Sequence, residues 1–301
     1  MPLPVIVLDR SAVLLLGVCA GAAIGLAFAS HAGSSAPAVK APLCSAARTG
    51  DTRPPEVVAA RLCAAPAQRQ LLATLRKGRP VRVAVFGDSY GDGVWSGLQR
   101  QLPRSGYDVV KYSQPATGFT RYKRLNLETQ AAGQLGSDPI DIAVVSFGAN
   151  DTQGIIDDEG HYAPMLGERW KKQIAVRLDR FVGLLRRHKA MVYWVGLPRM
   201  REAQTDTDIG AINDFYASEM AKLEVPFVDT RPLASDAKGQ YSAYLPDPRT
   251  GERTLVREGD GIHMSMTGYL WITKGLAQRI RDYVDATRAV DAPAAGTAVA
   301  Q

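Results

Sequence analysis

From Val81 onward, short continuous apolar runs alternate with longer segments of helical periodicity, and this alternation restricts the fold more than any other property of the chain. Val81–Phe86, Ile140–Phe147 and Met191–Val195 are apolar at nearly every position rather than at every second one. A strand with one solvated face alternates. A strand apolar on both sides must be covered on both sides, which is the condition of a parallel sheet held between helical layers. Tyr107–Tyr112 supplies a further strand and Val225–Val228 a short last one. Gly93–Leu102, Leu125–Leu135, Glu168–Arg187, Ile209–Leu223 and Met266–Val284 carry the helices. The expected architecture is α/β, a three-layer α/β/α sandwich around a mainly parallel sheet of about five strands.

Outside this region the composition changes. Residues Ser11 to Ala29 carry no charge and are dominated by Ala, Leu, Val and Gly. Such a run fits a long signal-peptide core or a short membrane-spanning helix, and either sends the rest of the chain across a membrane. Small-residue cleavage sites at Ala27-Phe28-Ala29 and Ser30-His31-Ala32 favour removal, whereas Gly17, Gly21 and Gly25 recur as on close-packing membrane helices. Residues 1–32 are therefore read as a signal peptide or N-terminal membrane anchor. The location is periplasmic or secreted, with inner-membrane anchoring if the segment stays. Residues 33–79 read as a linker and helical appendage, with helical periodicity from Glu56 to Lys77 interrupted near Pro66 and closed by Gly78. The α/β domain spans 80–285, and 286–301 is expected to be a disordered tail. Cys44 and Cys63 lie in the exported part; an oxidising compartment allows a disulfide between them, and two unpaired thiols are the alternative.

The 301 residues carry 36 Lys and Arg against 30 Asp and Glu, a formal net charge of +6. The excess is spread along the chain, with no arginine-rich arm, zinc-finger spacing or aromatic RNA-binding signature, so nucleic acid is not an expected partner. No His or Cys pairs occur at ligand spacing, and neither a metal nor another cofactor is expected. Oligomeric state is not readable.

In an open parallel sheet, ligands bind beyond the carboxyl ends of the strands. Those ends read Gly87-Asp88-Ser89, Gln114-Pro115-Ala116-Thr117-Gly118, Gly148-Ala149-Asn150-Asp151 and Gly196-Leu197-Pro198-Arg199, and Asp260-Gly261-Ile262-His263 follows near the end of the domain. Ser89, on a turn straight after a strand, is the candidate nucleophile. A serine is a weak nucleophile until a base takes its proton, and His263 suits that work near neutral pH. Asp260, three residues earlier, can orient the imidazole. The backbone N–H groups of Ser89 and Gly118 and the side-chain amide of Asn150 are candidate oxyanion donors. Asp88, Thr117, Arg121, Asp151 and Arg199 are candidate substrate contacts, with Lys123, Arg124 and Arg201 as further cations and Phe119, Tyr122 and Trp95 as stacking surfaces. His161 could border the site, whereas His188 suits a helix end.

Gly87-Asp88-Ser89, Gly118, Gly148-Ala149-Asn150-Asp151 and Asp260-Gly261-Ile262-His263, in that order, resemble the four blocks of the SGNH (GDSL-like) hydrolases. The stretch from Tyr112 to Tyr122 looks like an envelope-associated branch, DUF459. The resemblance covers about residues 81–285 and implies an SGNH-hydrolase/flavodoxin-like fold and a serine esterase or acyltransferase without a metal. Tyr90 departs from it, standing where a leucine is common. Gly87-Asp88-Ser89-Tyr90-Gly91 also fits the G-x-S-x-G elbow of α/β-hydrolases, but there the serine follows several core strands and the acid and histidine are well separated. The expected function is an exported serine esterase acting on ester-linked acyl, foremost acetyl, groups of a cell-envelope carbohydrate or another small ester. An envelope glycan O-acyltransferase with the same triad is one alternative. A non-catalytic glycan-binding or scaffold protein is the other.

Overall fold

The computed structural model describes residues 66–137 and 139–291. The expected leader or anchor, Cys44 and Cys63, the linker up to residue 65 and residues 292–301 lie outside the described residues. Among the described residues, no helix is long and apolar enough to cross a membrane.

The described chain opens on α1 (Pro66–Arg76), which ends at Gly78 with φ +63°. It continues through β1 (Val81–Gly87), α2 (Ser89–Gln101), β2 (Tyr107–Lys111), α3 (Leu127–Leu135) and β3 (Ile142–Ser146). A hairpin of β4 (Ile155–Ile156) and β5 (Tyr162–Ala163) precedes α4 (Glu168–Arg187), β6 (Met191–Val195), α5 (Ala203–Lys222) and β7 (Phe227–Val228). A second hairpin, β8 (Tyr244–Pro246) and β9 (Arg253–Leu255), leads to α6 (Met266–Asp291).

The central sheet has five strands in the order β2-β1-β3-β6-β7, every pair parallel. Counted within the sheet, this is the flavodoxin-like order, whose switch point lies between β1 and β3. The pleat sorts the strand residues as the continuous apolar runs require. Ala84, Phe86, Ala143, Val145, Val192 and Trp194 join a core with α3, α4 and α5. Val81, Val83, Val85, Ile142, Val144, Tyr193 and Val195 join the other with α1, α2 and α6. The result is the expected three-layer sandwich.

Three boundaries differ from expectation. Helix α2 begins at Ser89, not Gly93. Its glycines lower helix propensity, but they are where another element must approach. A Cβ on Gly93 would lie 1.9 Å from Tyr269 Cζ, and one on Gly97 2.5 Å from Thr273 Oγ1, so α6 packs directly on the α2 backbone. Gly93→Ala is therefore expected to destabilise the protein by about 3 kcal/mol through overpacking, read as a lowered urea midpoint. Helix α5 starts at Ala203 rather than Ile209, because the Glu202 side chain accepts from the N–H groups of Gln204 and Thr205 at 2.9 and 2.6 Å. Helix α6 continues to Asp291, so 286–291, expected to belong to a disordered tail, are helical; Thr287 is buried and donates to the Tyr283 carbonyl at 2.8 Å. The appendage helix α1 buries Leu71 in the core shared by β1 and α6.

Candidate active site

The site grows from the end of β1. Gly87 has φ +159°, and a Cβ there would sit 2.3 Å from the Ser146 carbonyl of β3, so only glycine passes. Asp88 then caps α2, its Oδ1 accepting the Tyr90 N–H at 2.8 Å. Ser89 becomes the first helical residue, with its Oγ at the positive end of the helix dipole, where a developing alkoxide is favoured.

The partner loop arrives from just before α6. Asp260 Oδ1 accepts the backbone N–H groups of Ile262 and His263 at 2.8 and 2.9 Å, while Oδ2 lies 2.6 Å from His263 Nδ1. His263 Nε2 lies 2.8 Å from Ser89 Oγ, across 174 residues of sequence. Partial burial pushes the Asp260 carboxyl up, but the His263 ring and the two N–H donors outweigh it and hold it down at about 2. An ionised carboxylate only accepts, so Nδ1 carries the imidazole proton and Nε2 is left to accept from the serine hydroxyl.

The loop is clamped from outside. Arg201 donates to the carbonyls of Gly259 and Asp260, both at 2.9 Å, and Gly261, at φ +76°, leaves room for its guanidinium. Buried Arg257 donates to the Ile262 carbonyl at 3.0 Å.

Asn150 Nδ2 donates to Asp88 Oδ2 at 3.2 Å, which ties the β3 loop to the nucleophile turn. Gly118 abuts Asp151: a Cβ there would lie 2.5 Å from Asp151 Oδ1. That same oxygen accepts the Thr120 N–H and hydroxyl at 2.8 and 2.9 Å, and Oδ2 accepts Tyr216 at 2.6 Å. Arg177, buried on α4, adds a bond to the Phe119 carbonyl at 2.8 Å. Sequence reasoning missed Arg177, Arg201 and Arg257 as supports, because nothing in a lone arginine reveals which carbonyl it reaches.

Ser89, His263 and Asp260 are thus in hydrogen-bond contact, and Asn150 is joined to them through Asp88. The expected substrate contacts fare differently. Asp88 and Asp151 are fully buried and engaged inside the protein, so they support loops instead of facing a ligand. Thr117 is buried with its hydroxyl on the Gln114 carbonyl, 2.7 Å away. Arg121 is half-buried and donates to the Ala116 carbonyl at 2.9 Å; Arg199 pairs with Asp206 at 3.1 Å. Phe119 is wholly buried among Phe147, Phe181 and Trp194. Trp95 donates to the Val109 carbonyl at 3.0 Å, and His188 closes α4.

Burial pushes the Asp88 carboxyl up to about 7, and the nearby Asp151 adds to this, against the Tyr90 and Asn150 donors. Its folded value exceeds the ordinary one, so the proton adds stability that is full below about pH 4 and is lost as pH rises through about 7. Relative to Asp88→Asn, the wild type is expected to be more stable at pH 5 than at pH 8 by a few kcal/mol, measured by urea unfolding at both values.

Among the described residues, one group beyond the site has ligand character. Asp157, Glu159 and His161, around the β4–β5 turn, each bring a ligand atom within 4.8 Å of the others. The Arg169 guanidinium already pairs with both carboxylates at 3.2 Å.

A family model described as "Protein of unknown function (DUF459)" matches residues 82–279. The chain belongs to the DUF459 family. No curated protein matches it. The solved structures similar to this DUF459 chain include an aryl esterase from M. smegmatis, at 17% identity and a TM-score of 0.46, covering 67% of this chain and 99% of that one. A GDSL-like lipase from Bacteroides thetaiotaomicron shares 14% identity at a TM-score of 0.43, covering 73% and 98%. A carbohydrate acetylesterase from Sinorhizobium meliloti shares 17% identity at 0.46, covering 67% and 98%.

Proposed function

We propose that this DUF459 protein is an SGNH-type serine esterase that removes acyl groups from oxygen esters through Ser89, His263 and Asp260. The observation that carries the reading is the continuous relay of Asp260 Oδ2, His263 Nδ1 and Nε2, and Ser89 Oγ, with links of 2.6 and 2.8 Å.

Ser89 Oγ attacks the ester carbonyl while His263 Nε2 takes its proton, and the resulting imidazolium is stabilised by the Asp260 carboxylate. The negative charge on the tetrahedral oxygen is met by the N–H groups of Ser89 and Gly118 and by the Asn150 amide. Collapse expels the alcohol, which takes the proton from His263 and leaves Ser89 acylated. Water then attacks, with His263 again as base, and the acid is released. No step calls for a metal or an organic cofactor.

The substrate within this proposal is a small acyl group, foremost acetyl, on a cell-envelope carbohydrate. Support for an envelope location is the uncharged Ser11–Ala29 run, and the net charge of +6 suits anionic envelope material.

The test is labelling of the purified full-length protein with a fluorophosphonate, alongside turnover of short-chain aryl esters. Labelling confined to Ser89 together with turnover supports the reading, and a folded wild type that does neither overturns it. Isolated envelope glycans with an acetyl donor then separate hydrolysis, in which esters are lost, from transfer, in which they accumulate.

A further inference from the structure

Tyr90 is the residue next to the nucleophile, and its side chain is 1% exposed. Its hydroxyl donates to the Ile262 carbonyl, inside the Asp260–His263 loop, 172 residues away. Its ring lies against the His263 imidazole with centroids 5.6 Å apart and planes 25° from parallel. Tyr269 of α6 meets it edge-on at 6.0 Å. The backbone N–H of the same residue is held by Asp88 at 2.8 Å. One residue thus touches the cap of the nucleophile's helix, the ring of the base, the loop that carries the base, and the helix after it. A leucine could supply bulk here, but neither the donor nor the aromatic face.

We infer that Tyr90 is a positioning residue that locks the His263 loop onto the first turn of α2, setting the imidazole at hydrogen-bond distance from Ser89. The inference rests on the esterase reading for its kinetic consequences, though not for its geometry. The Ile262 carbonyl accepts from two donors on different elements, Tyr90 and Arg257, and this crossing point fixes the loop along its length. The stacked ring fixes it in the remaining direction, and its electron-rich face favours the imidazolium formed in each half-reaction. The groups facing His263 are Asp260 on its own loop and Ser89 and Tyr90 on α2, with Asp88, Arg257, Tyr269 and Arg201 further out. Burial raises the Tyr90 hydroxyl well above its ordinary range, so it stays a donor throughout the working pH range.

The test compares Tyr90→Phe and Tyr90→Leu in the full-length protein, with turnover normalised to sites titrated by fluorophosphonate. Tyr90→Phe keeps the ring and loses the donor; kcat is expected to fall about fivefold, the size of one lost hydrogen bond, with KM unchanged. Tyr90→Leu loses both; kcat is expected to fall roughly 30-fold or more. A filler of space would lower melting temperature without moving turnover per site.

A second readout is independent of catalysis. The His263 Nδ1 proton, assigned by its loss in His263→Gln, is expected as a sharp downfield NMR resonance in the wild type and as an exchange-broadened one in Tyr90→Leu. A sharp resonance in Tyr90→Leu, with kcat within about twofold of wild type, overturns the inference. If the wild type neither labels nor hydrolyses while the resonance behaves as expected, the esterase reading fails and the positioning role stands.

Discussion

Ser89→Ala is expected to lower kcat for a short-chain aryl ester by roughly a millionfold and to abolish fluorophosphonate labelling. The loss is that large because Ser89 and His263 act as one unit: without the hydroxyl, Nε2 has no proton to take, and the oxyanion donors face water instead of a tethered nucleophile. The fold should not register the change. Ser89 is half-buried, its side chain's bond is to His263, and its cap is held by Asp88. The melting temperature is accordingly expected within about 2 °C of wild type. Retained turnover in Ser89→Ala, with the preparation free of wild-type enzyme, would place the nucleophile elsewhere.

The second large effect is expected at Asp260. Asp260→Asn should cost kcat about ten-thousandfold. An amide that turns its N–H₂ to Nδ1 forces the imidazole proton onto Nε2, which then faces Ser89 as a donor and cannot act as base. The KM, which reports binding more than proton transfer, should change little. Because the carboxyl sits at about 2, it is ionised across the working range. The stability it contributes is present above the ordinary carboxylate value of 3.8 and lost as pH falls through about 2. Wild type and Asp260→Asn should therefore converge in stability toward pH 2. An Asp260→Asn enzyme with near-wild-type kcat would remove the carboxylate from the relay.

These expectations stand on residues that were visible in the sequence. The strand-end blocks locate Ser89, Asn150 and His263 because a parallel sheet must put its loops there, and the continuous apolar runs announce such a sheet. Glu168–Arg187 and Met191–Val195 coincide with α4 and β6, since a long amphipathic helix and an unbroken β-rich run leave little to tertiary context. The start of α2 was not legible. Gly91 and Gly93 argue locally against a helix; a side chain on Gly91 would meet Ser113 and the Phe86 carbonyl, and the reason for Gly93 lies in Tyr269 of α6, about 175 residues further along. Burial of acids was equally hidden. In the sequence, Asp88 and Asp151 are acids beside a site, and only the structure shows them walled in beneath it. The two hairpins escaped notice because strands of two or three residues have no periodicity to read.

Placement of His263 after the last sheet strand has a consequence for how the protein comes together. The sheet can pair and bury the face of β1 and β3 that α3, α4 and α5 cover before the histidine's loop has any fixed position. That loop becomes fixed when α6 settles on the glycine face of α2, closing a long span of chain from Gly93 to Tyr269. Loop-closure entropy makes such a long-range contact a late one. A chain made amino end first would carry a paired sheet and an unactivated Ser89 until its last helix arrived. On the esterase reading, reactivity at Ser89 is then a marker of completed folding, and a truncation within α6 leaves His263 in the chain but without a fixed place.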